Sequence, residues 1–110
     1  MINVTAIFDI GKTNKKFFLF DKDYKEVYKE YIQFDEIKDE DRYPAENLEA
    51  LQEWIKSVFE KILTNTAFNV QAINFSTYGA SFVHLDENGE VLTPLYNYTK
   101  PINKNVIDSF

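Results

Sequence analysis

Eight consecutive residues, Asp9-Ile10-Gly11-Lys12-Thr13-Asn14-Lys15-Lys16, place a carboxylate, a glycine, a hydroxyl, a carboxamide and lysines on one short stretch. A tight glycine-containing turn between two strands can aim several donors at one anion. Backbone amides around Gly11 can cradle a phosphate, Thr13 and Asn14 can add hydrogen bonds, and a lysine can neutralise charge. Asp9, where a strand ends, can then hold the water shell of a magnesium ion beside that phosphate. Spacing alone does not separate such a cradle from a hairpin tip that is polar because it is wet. The other residues with chemical potential read more plainly. His84 is the only histidine; it sits in an alternating stretch with no partner in a recognisable cleft, so it reads as packing or facing solvent and not as a base. Trp54 lies beside an apolar helical stripe and reads as a core or interdomain contact. The acidic run 35–41 lacks the spacing of a calcium loop and reads as a solvated face.

The elements that must hold the loop follow from periodicity. Residues 3–9 and 16–21 are short β-branched and apolar runs on either side of it, so the pair is predicted as a hairpin whose Gly11 and Asn14 can take positive φ. A turn at 21–24 leads into residues 26–34, where apolar and charged residues alternate and the charges suggest an edge strand. Residues 34–42 read as a surface loop. Pro44 reads as the first residue of a helix running from about Pro44 to Leu63, with Glu46 in the first turn complementing the helix dipole. Leu48, Leu51, Ile55, Val58, Phe59 and Ile62 recur at three- and four-residue steps, the stripe that faces a sheet. Residues 70–76 read as a further strand beside the first. Asn88-Gly89 between the apolar runs 80–85 and 91–95 predicts a hairpin. The order is a three-strand meander, one helix, a strand and a hairpin, hence a mixed α/β sheet.

Composition sets the boundaries of the reading. A chain of 110 residues with 45% hydrophobic and 16% aromatic content can bury one core and is not disordered. A formal charge of −6 gives no cationic field for nucleic acid or anionic lipid. There is no cysteine, so no disulfide framework or thiolate metal site exists. No basic leader with an apolar core opens the sequence, and no apolar run approaches membrane-spanning length. These features predict a soluble, cytoplasmic protein without nucleic-acid or membrane partners.

The residues 9–16, at the start of a three-strand meander, resemble the first phosphate loop of the FGGY carbohydrate kinases, written D-x-G-T-T-S-x-R. Residues 73–100 resemble the segment in which that family's chain leaves a strand at a sugar-contacting turn, crosses a hairpin and returns. Within the family the turn is similar to that of rhamnulokinase-like members, T-W-G-V-D, where this chain has Thr77-Tyr78-Gly79-Ala80-Ser81. The resemblance implies an RNase H-like (actin-like ATPase) α/β fold, with residues 1–110 as a single, incomplete domain, the N-terminal part of the first lobe. It implies ATP and Mg2+ as cofactors and a small sugar as the other partner. By this resemblance Asp9 lies near magnesium, Gly11 is the turn glycine, Thr13 and Asn14 contact phosphate, and Lys16 stands for the usual arginine. Lysine there keeps the charge and loses the bidentate fork. Lys12 replaces a threonine and adds a second cation.

On the sugar side the resemblance assigns Gly79, flanked by Thr77 and Tyr78, to substrate contact. Ser81 stands where rhamnulokinases have an aspartate, so one hydroxyl replaces a carboxylate that accepts hydrogen bonds from two hydroxyl groups. Asn97-Tyr98-Thr99-Lys100 departs from the family's W-x-D-x-R pattern. The implied activity is transfer of the γ-phosphoryl group of ATP to a sugar hydroxyl. The catalytic carboxylate is expected beyond Phe110, so residues 1–110 alone are expected to be inactive and, with uncovered strands, to self-associate. Two other readings stand beside it: a non-catalytic sugar-sensing or assembly module of the same fold, and an unrelated mixed α/β binding domain. They differ in the presence of a downstream catalytic aspartate and in whether residues 11–16 form a hairpin tip.

Overall fold

Strict alternation makes the first strand. In β1 (Ile2–Ile10), Val4, Ala6, Phe8 and Ile10 are buried while Thr5, Ile7 and Asp9 are half-buried, as a pleated strand with one face on a core requires. The structure, a computed structural model, describes Met1–Ser109. β1 pairs antiparallel with β2 (Lys15–Phe20), and β2 with β3 (Glu26–Ile32), which is the expected meander. Asp21 closes the turn after β2: its Oδ1 accepts hydrogen bonds from the amides of Asp23 and Lys25, both at 2.9 Å.

Helix α1 (Leu48–Leu63) buries Trp54, Val58 and Ile62, four residues apart and so on one face. Glu49 in its first turn and Lys61 in its last complement the dipole. Trp54 is thus a core residue, its indole edge-on to Phe8 at 5.8 Å. The helix is the crossover that a parallel pairing requires: β6 (Phe68–Thr77) lies parallel to β1, and the sheet order is β3-β2-β1-β6. β3 is an edge, as its charges suggested. Phe8, fully buried, touches Phe17 of β2, Trp54 and Phe59 of α1, and Phe75 of β6, with ring centroids 4.7 to 5.8 Å away. Lys61 ties the end of the helix to β3 by an ion pair to Glu30 at 2.5 Å, and the Tyr28 hydroxyl donates to the same carboxylate. Residues 1–34 and 49–79 form this compact unit.

Residues 35–48 and 80–109 form a second unit. Its sheet has the order β4-β5-β7, from β4 (Ile37–Lys38), β5 (Pro44–Glu46) and β7 (Leu95–Tyr96), and α2 (Lys104–Asp108) follows. The ammonium of Lys100 is the hub. It lies 2.7 Å from the buried carboxylate of Asp39, 3.1 Å from Asp41, and 4.4 Å from the ring centroid of Tyr96, which combines an ion pair with a cation–π contact.

Several local expectations are corrected here. Pro44 begins a strand and not the helix, because Ala45 and Glu46 are buried and pair with Tyr96 and Leu95 of β7; the helix starts after Asn47, a residue type suited to the N-cap. Glu46 therefore plays no part in the first turn. Residues 34–42 are not merely a surface loop, since β4 lies within them and Asp39 is buried. The solvated-face reading fails at Asp39, where Lys100 and the amides of Asp41 and Tyr43 replace water. The Asp86–Gly89 turn forms, with Gly89 at φ +80°, and its flanks meet at the Leu85–Val91 bridge and through the Leu92 amide on the His84 carbonyl at 2.8 Å, but residues 80–84 form no strand. His84 is exposed, edge-on to Phe82.

Two carboxylates should set the acid limb of stability. Burial raises the carboxyl of Glu30, but hydrogen bonds from Lys61 and Tyr28 outweigh it and the net shift is downward. Burial likewise raises Asp39, and Lys100 with the Tyr43 and Asp41 amides brings it below its ordinary value. A lowered folded value means stability present above the unfolded carboxylate pKa of about 4 and lost as pH falls through the folded value. Lys61 and Lys100 are raised, chiefly by Glu30 and Asp39, so their contribution is complete below about 10.5 and lost above it. Melting temperature measured against pH should show a plateau between these limits and an acid limb that flattens in the Glu30→Gln, Asp39→Asn double variant.

Candidate functional site

The parallel register of β1 and β6 decides which loops meet. Asp9 lies beside Ser76 and Ile10 beside Thr77, so the β1–β2 loop and the segment after β6 leave the sheet at the same end. The Tyr78 amide donates to the Ile10 carbonyl at 3.2 Å and fixes this adjacency. Asp9, Gly11, Lys12, Thr13, Asn14, Lys16, Thr77, Tyr78 and Gly79 are thereby gathered at one sheet end. Ligands of parallel strands bind at such carboxyl ends.

The loop between β1 and β2 does form a hairpin tip, with a geometry that corrects the sequence reading. Neither Gly11 nor Asn14 has positive φ. Glycine is required at 11 by space: its amide donates to the Asn14 carbonyl at 2.9 Å, and a Cβ there would stand 2.8 Å from that same oxygen. The Gly11 amide is thus satisfied inside the loop and does not serve an anion, so any cradle is built from the loop's other groups. Thr13 is exposed at the tip. The Asn14 Oδ1 accepts a hydrogen bond from Gln33 Nε2 at 2.6 Å.

The lysines divide by strand alternation. Lys15 shares the core face with Phe17 and Leu19 and is buried; its Nζ donates to the Lys12 carbonyl at 2.7 Å and braces the loop. Lys16 takes the opposite face, directly across from Asp9 in the ladder, which puts one cation and one carboxylate side by side. Lys15 and Gln33 were missed as site residues. The alternation Lys15, Phe17, Leu19 was a usable signal for the first, while Gln33 enters only through register.

Beyond β6, the Thr77 hydroxyl donates to the Tyr78 carbonyl at 3.1 Å. Gly79 is exposed, without positive φ, and a Cβ on it would meet nothing within 4 Å. Ala80 instead takes φ +64°, a left-handed conformation that costs a residue with a Cβ about 1 kcal/mol. Ser81 belongs to the second unit, where its hydroxyl oxygen is buried with no hydrogen-bonding partner among the described residues.

The chemistry of these groups suits a phosphate. The Thr13 hydroxyl, the Asn14 carboxamide nitrogen and the lysine ammonium groups can each donate to an anion. For a divalent cation the described residues offer no group of three ligating side chains. Asp9, a single carboxylate at the strand end, would suit only an indirect role beside a hydrated divalent cation.

The N-terminal domain of the FGGY family of carbohydrate kinases matches residues 4–108. Among solved structures, a carbohydrate kinase from Novosphingobium aromaticivorans is similar with a TM-score of 0.79 and 19% identity, over 94% of this chain and 22% of that one. A gluconate kinase from Lactobacillus acidophilus has a TM-score of 0.71 and 20% identity, over 87% and 20%. A ligand-bound xylulose kinase from the same organism has 0.61 and 23%, over 86% and 19%. No curated protein matches the sequence. At these identities the structural likeness shows the fold, and the chain spans about a fifth of the length of those structures.

The two glycines make a paired test. Gly11→Ala drives a methyl into the Asn14 carbonyl and should cost about 1–3 kcal/mol, the usual range for overpacking. Gly79→Ala enters open space and should stay within about 0.5 kcal/mol of the parent. Urea denaturation of the two variants reads both values.

Proposed function

The chain belongs to the FGGY family of carbohydrate kinases as its N-terminal domain, and on that premise we propose that the protein carrying it transfers the γ-phosphoryl group of ATP to a sugar hydroxyl. Residues 1–110 are the N-terminal part of the first lobe. The observation that carries the reading is the parallel pairing of β1 and β6 up to Ile10 beside Thr77, with a donor-rich hairpin and a glycine-containing turn leaving the same sheet end.

In this reading Thr13 and Asn14 donate to ATP phosphate oxygens, with Lys12 and Lys16 supplying positive charge. Such donors act where charge develops in phosphoryl transfer, a reaction catalysed mainly by positioning and electrostatics. Magnesium, when bound, would neutralise phosphate charge, and Asp9 would orient its water shell. Thr77, Tyr78 and Gly79 contact the sugar, and Ser81 is the further sugar-side residue that the family resemblance names. Because neither backbone conformation nor packing demands glycine at 79, its bareness is best used by a ligand that approaches the main chain closely. The general base and the adenosine site lie in the remainder of the full-length enzyme.

In this reading the setting is cytoplasmic, with ATP and a sugar as the partners and neither nucleic acid nor membrane. The finer likeness to rhamnulokinase-like members weakens at Ser81, so a substrate panel should run from rhamnulose through xylulose to gluconate. Expressed alone, residues 1–110 are inactive and self-associate through uncovered apolar surface on the edge strand β6, where Ile73 and Phe75 are 42% and 48% exposed. Light scattering of this chain should show a mass that rises with concentration; a strict monomer would count against it.

Steady-state kinetics of the full-length enzyme with ATP and sugar varied separately tests the assignment. Thr13→Ala and Lys16→Ala should each lower kcat/KM for ATP on the order of 10²-fold, the usual effect of losing one transition-state donor, with sugar KM barely changed. Gly79→Leu should raise the sugar KM and leave sugar-independent ATP hydrolysis largely intact. Near-normal ATP dependence in the Thr13 and Lys16 variants would remove the phosphate-loop assignment and most of the kinase reading with it.

A further inference from the structure

We propose that Gln33 is a positioning residue for the anion-binding loop: its carboxamide holds Asn14 with the nitrogen end outward, so that the loop presents donors to phosphate. The proposal rests on the phosphate-loop reading above. β2 and β3 pair antiparallel up to Lys15 opposite Ile32, and one further step along that ladder sets Asn14 opposite Gln33. Their side chains meet there, Gln33 Nε2 donating to Asn14 Oδ1 at 2.6 Å.

A carboxamide has one accepting and one donating end. With the Asn14 oxygen engaged by Gln33, it is the two Nδ2 hydrogens that remain to serve a ligand. An anion needs that polarity, and the reverse orientation would put a carbonyl dipole against phosphate. The loop's main chain is pinned separately, by the Gly11 amide on the Asn14 carbonyl and by Lys15 Nζ on the Lys12 carbonyl. Gln33 therefore adds what those contacts do not, the sense of the Asn14 side chain, and the loop is preorganised before its ligand arrives.

Two substitutions at this exposed position separate polarity from packing. Gln33→Glu offers only acceptors, so Asn14 must turn its nitrogen inward and face the ligand with oxygen. Gln33→Leu removes the donor without adding charge. Calorimetric titration of the full-length protein with Mg-ATP and, separately, with adenosine isolates the phosphate contribution, since adenosine has no group for the loop. Gln33→Glu should weaken Mg-ATP about tenfold, as expected for a misdirected hydrogen bond to a charged group. Gln33→Leu should weaken it about threefold, a neutral hydrogen bond's worth. Adenosine affinity and thermal midpoint should match the parent in both. Thr13→Ala serves as the control for the loop itself. If it weakens Mg-ATP while both Gln33 variants bind normally, the role of Gln33 is overturned and the loop reading stands. If Thr13→Ala and both Gln33 variants all bind Mg-ATP normally, the loop reading falls and this proposal with it. Equal losses for Mg-ATP and adenosine would show a merely structural role and would also overturn it.

Discussion

The packing of one ring, Phe8, organises the first unit. It lies two residues from the end of β1 with no exposure and contacts aromatic rings from β2, from α1 and from β6. Burying a phenylalanine contributes roughly 1.5–3 kcal/mol, and tilted or offset ring pairs add to that. More important is what the contacts fix. β1 pairs antiparallel on one side and parallel on the other, and Phe8 is the residue whose ring meets β2, the helix and β6 at once. Displacing it would loosen the β1–β6 register along with the core.

That register also sets which loops share a sheet end. Pairing Ile10 with Thr77 brings residues far apart in sequence to one place, and the Tyr78 amide on the Ile10 carbonyl closes the junction. The hairpin then needs little more than local rules. Gly11 makes room for the Asn14 carbonyl, Lys15 braces Lys12 from the core side, and Lys16 with Asp9 takes the other face. The even spacing of a strand thus divides two adjacent lysines into a structural one and one open to chemistry.

The second unit is held by a different kind of interaction. Its strands are two or three residues long, too short to be stable on pairing alone. Lys100 supplies the missing constraint, with the Asp39 and Asp41 carboxylates and the Tyr96 ring around one ammonium. Asn97 donates to Glu36, and the Tyr96 hydroxyl to Glu40, both in the acidic run. Those carboxylates serve as the polar partners of a tyrosine- and lysine-bearing segment about sixty residues away in sequence.

What the sequence determined by itself is local and periodic: the alternation of β1 and β2, the apolar stripe of α1, the edge character of β3 and the glycine turn at 86–89, since each depends on neighbours within a few residues. The residues 9–16 stood out for the same reason, as a cluster of donors and one carboxylate around a glycine. Tertiary structure decided everything that depends on register or on distant partners. Pro44 to Glu46 became a strand because β7 was there to pair with them, Asp39 was buried because Lys100 was there to neutralise it, and Gly11 is held by a carbonyl contact and not by its φ. Gln33 entered the site because antiparallel pairing set it opposite Asn14. A pattern of residue types records which face a side chain takes, but the free energy of a cross-strand hydrogen bond or a buried ion pair belongs to two residues at once, and only the folded chain brings the second one into place.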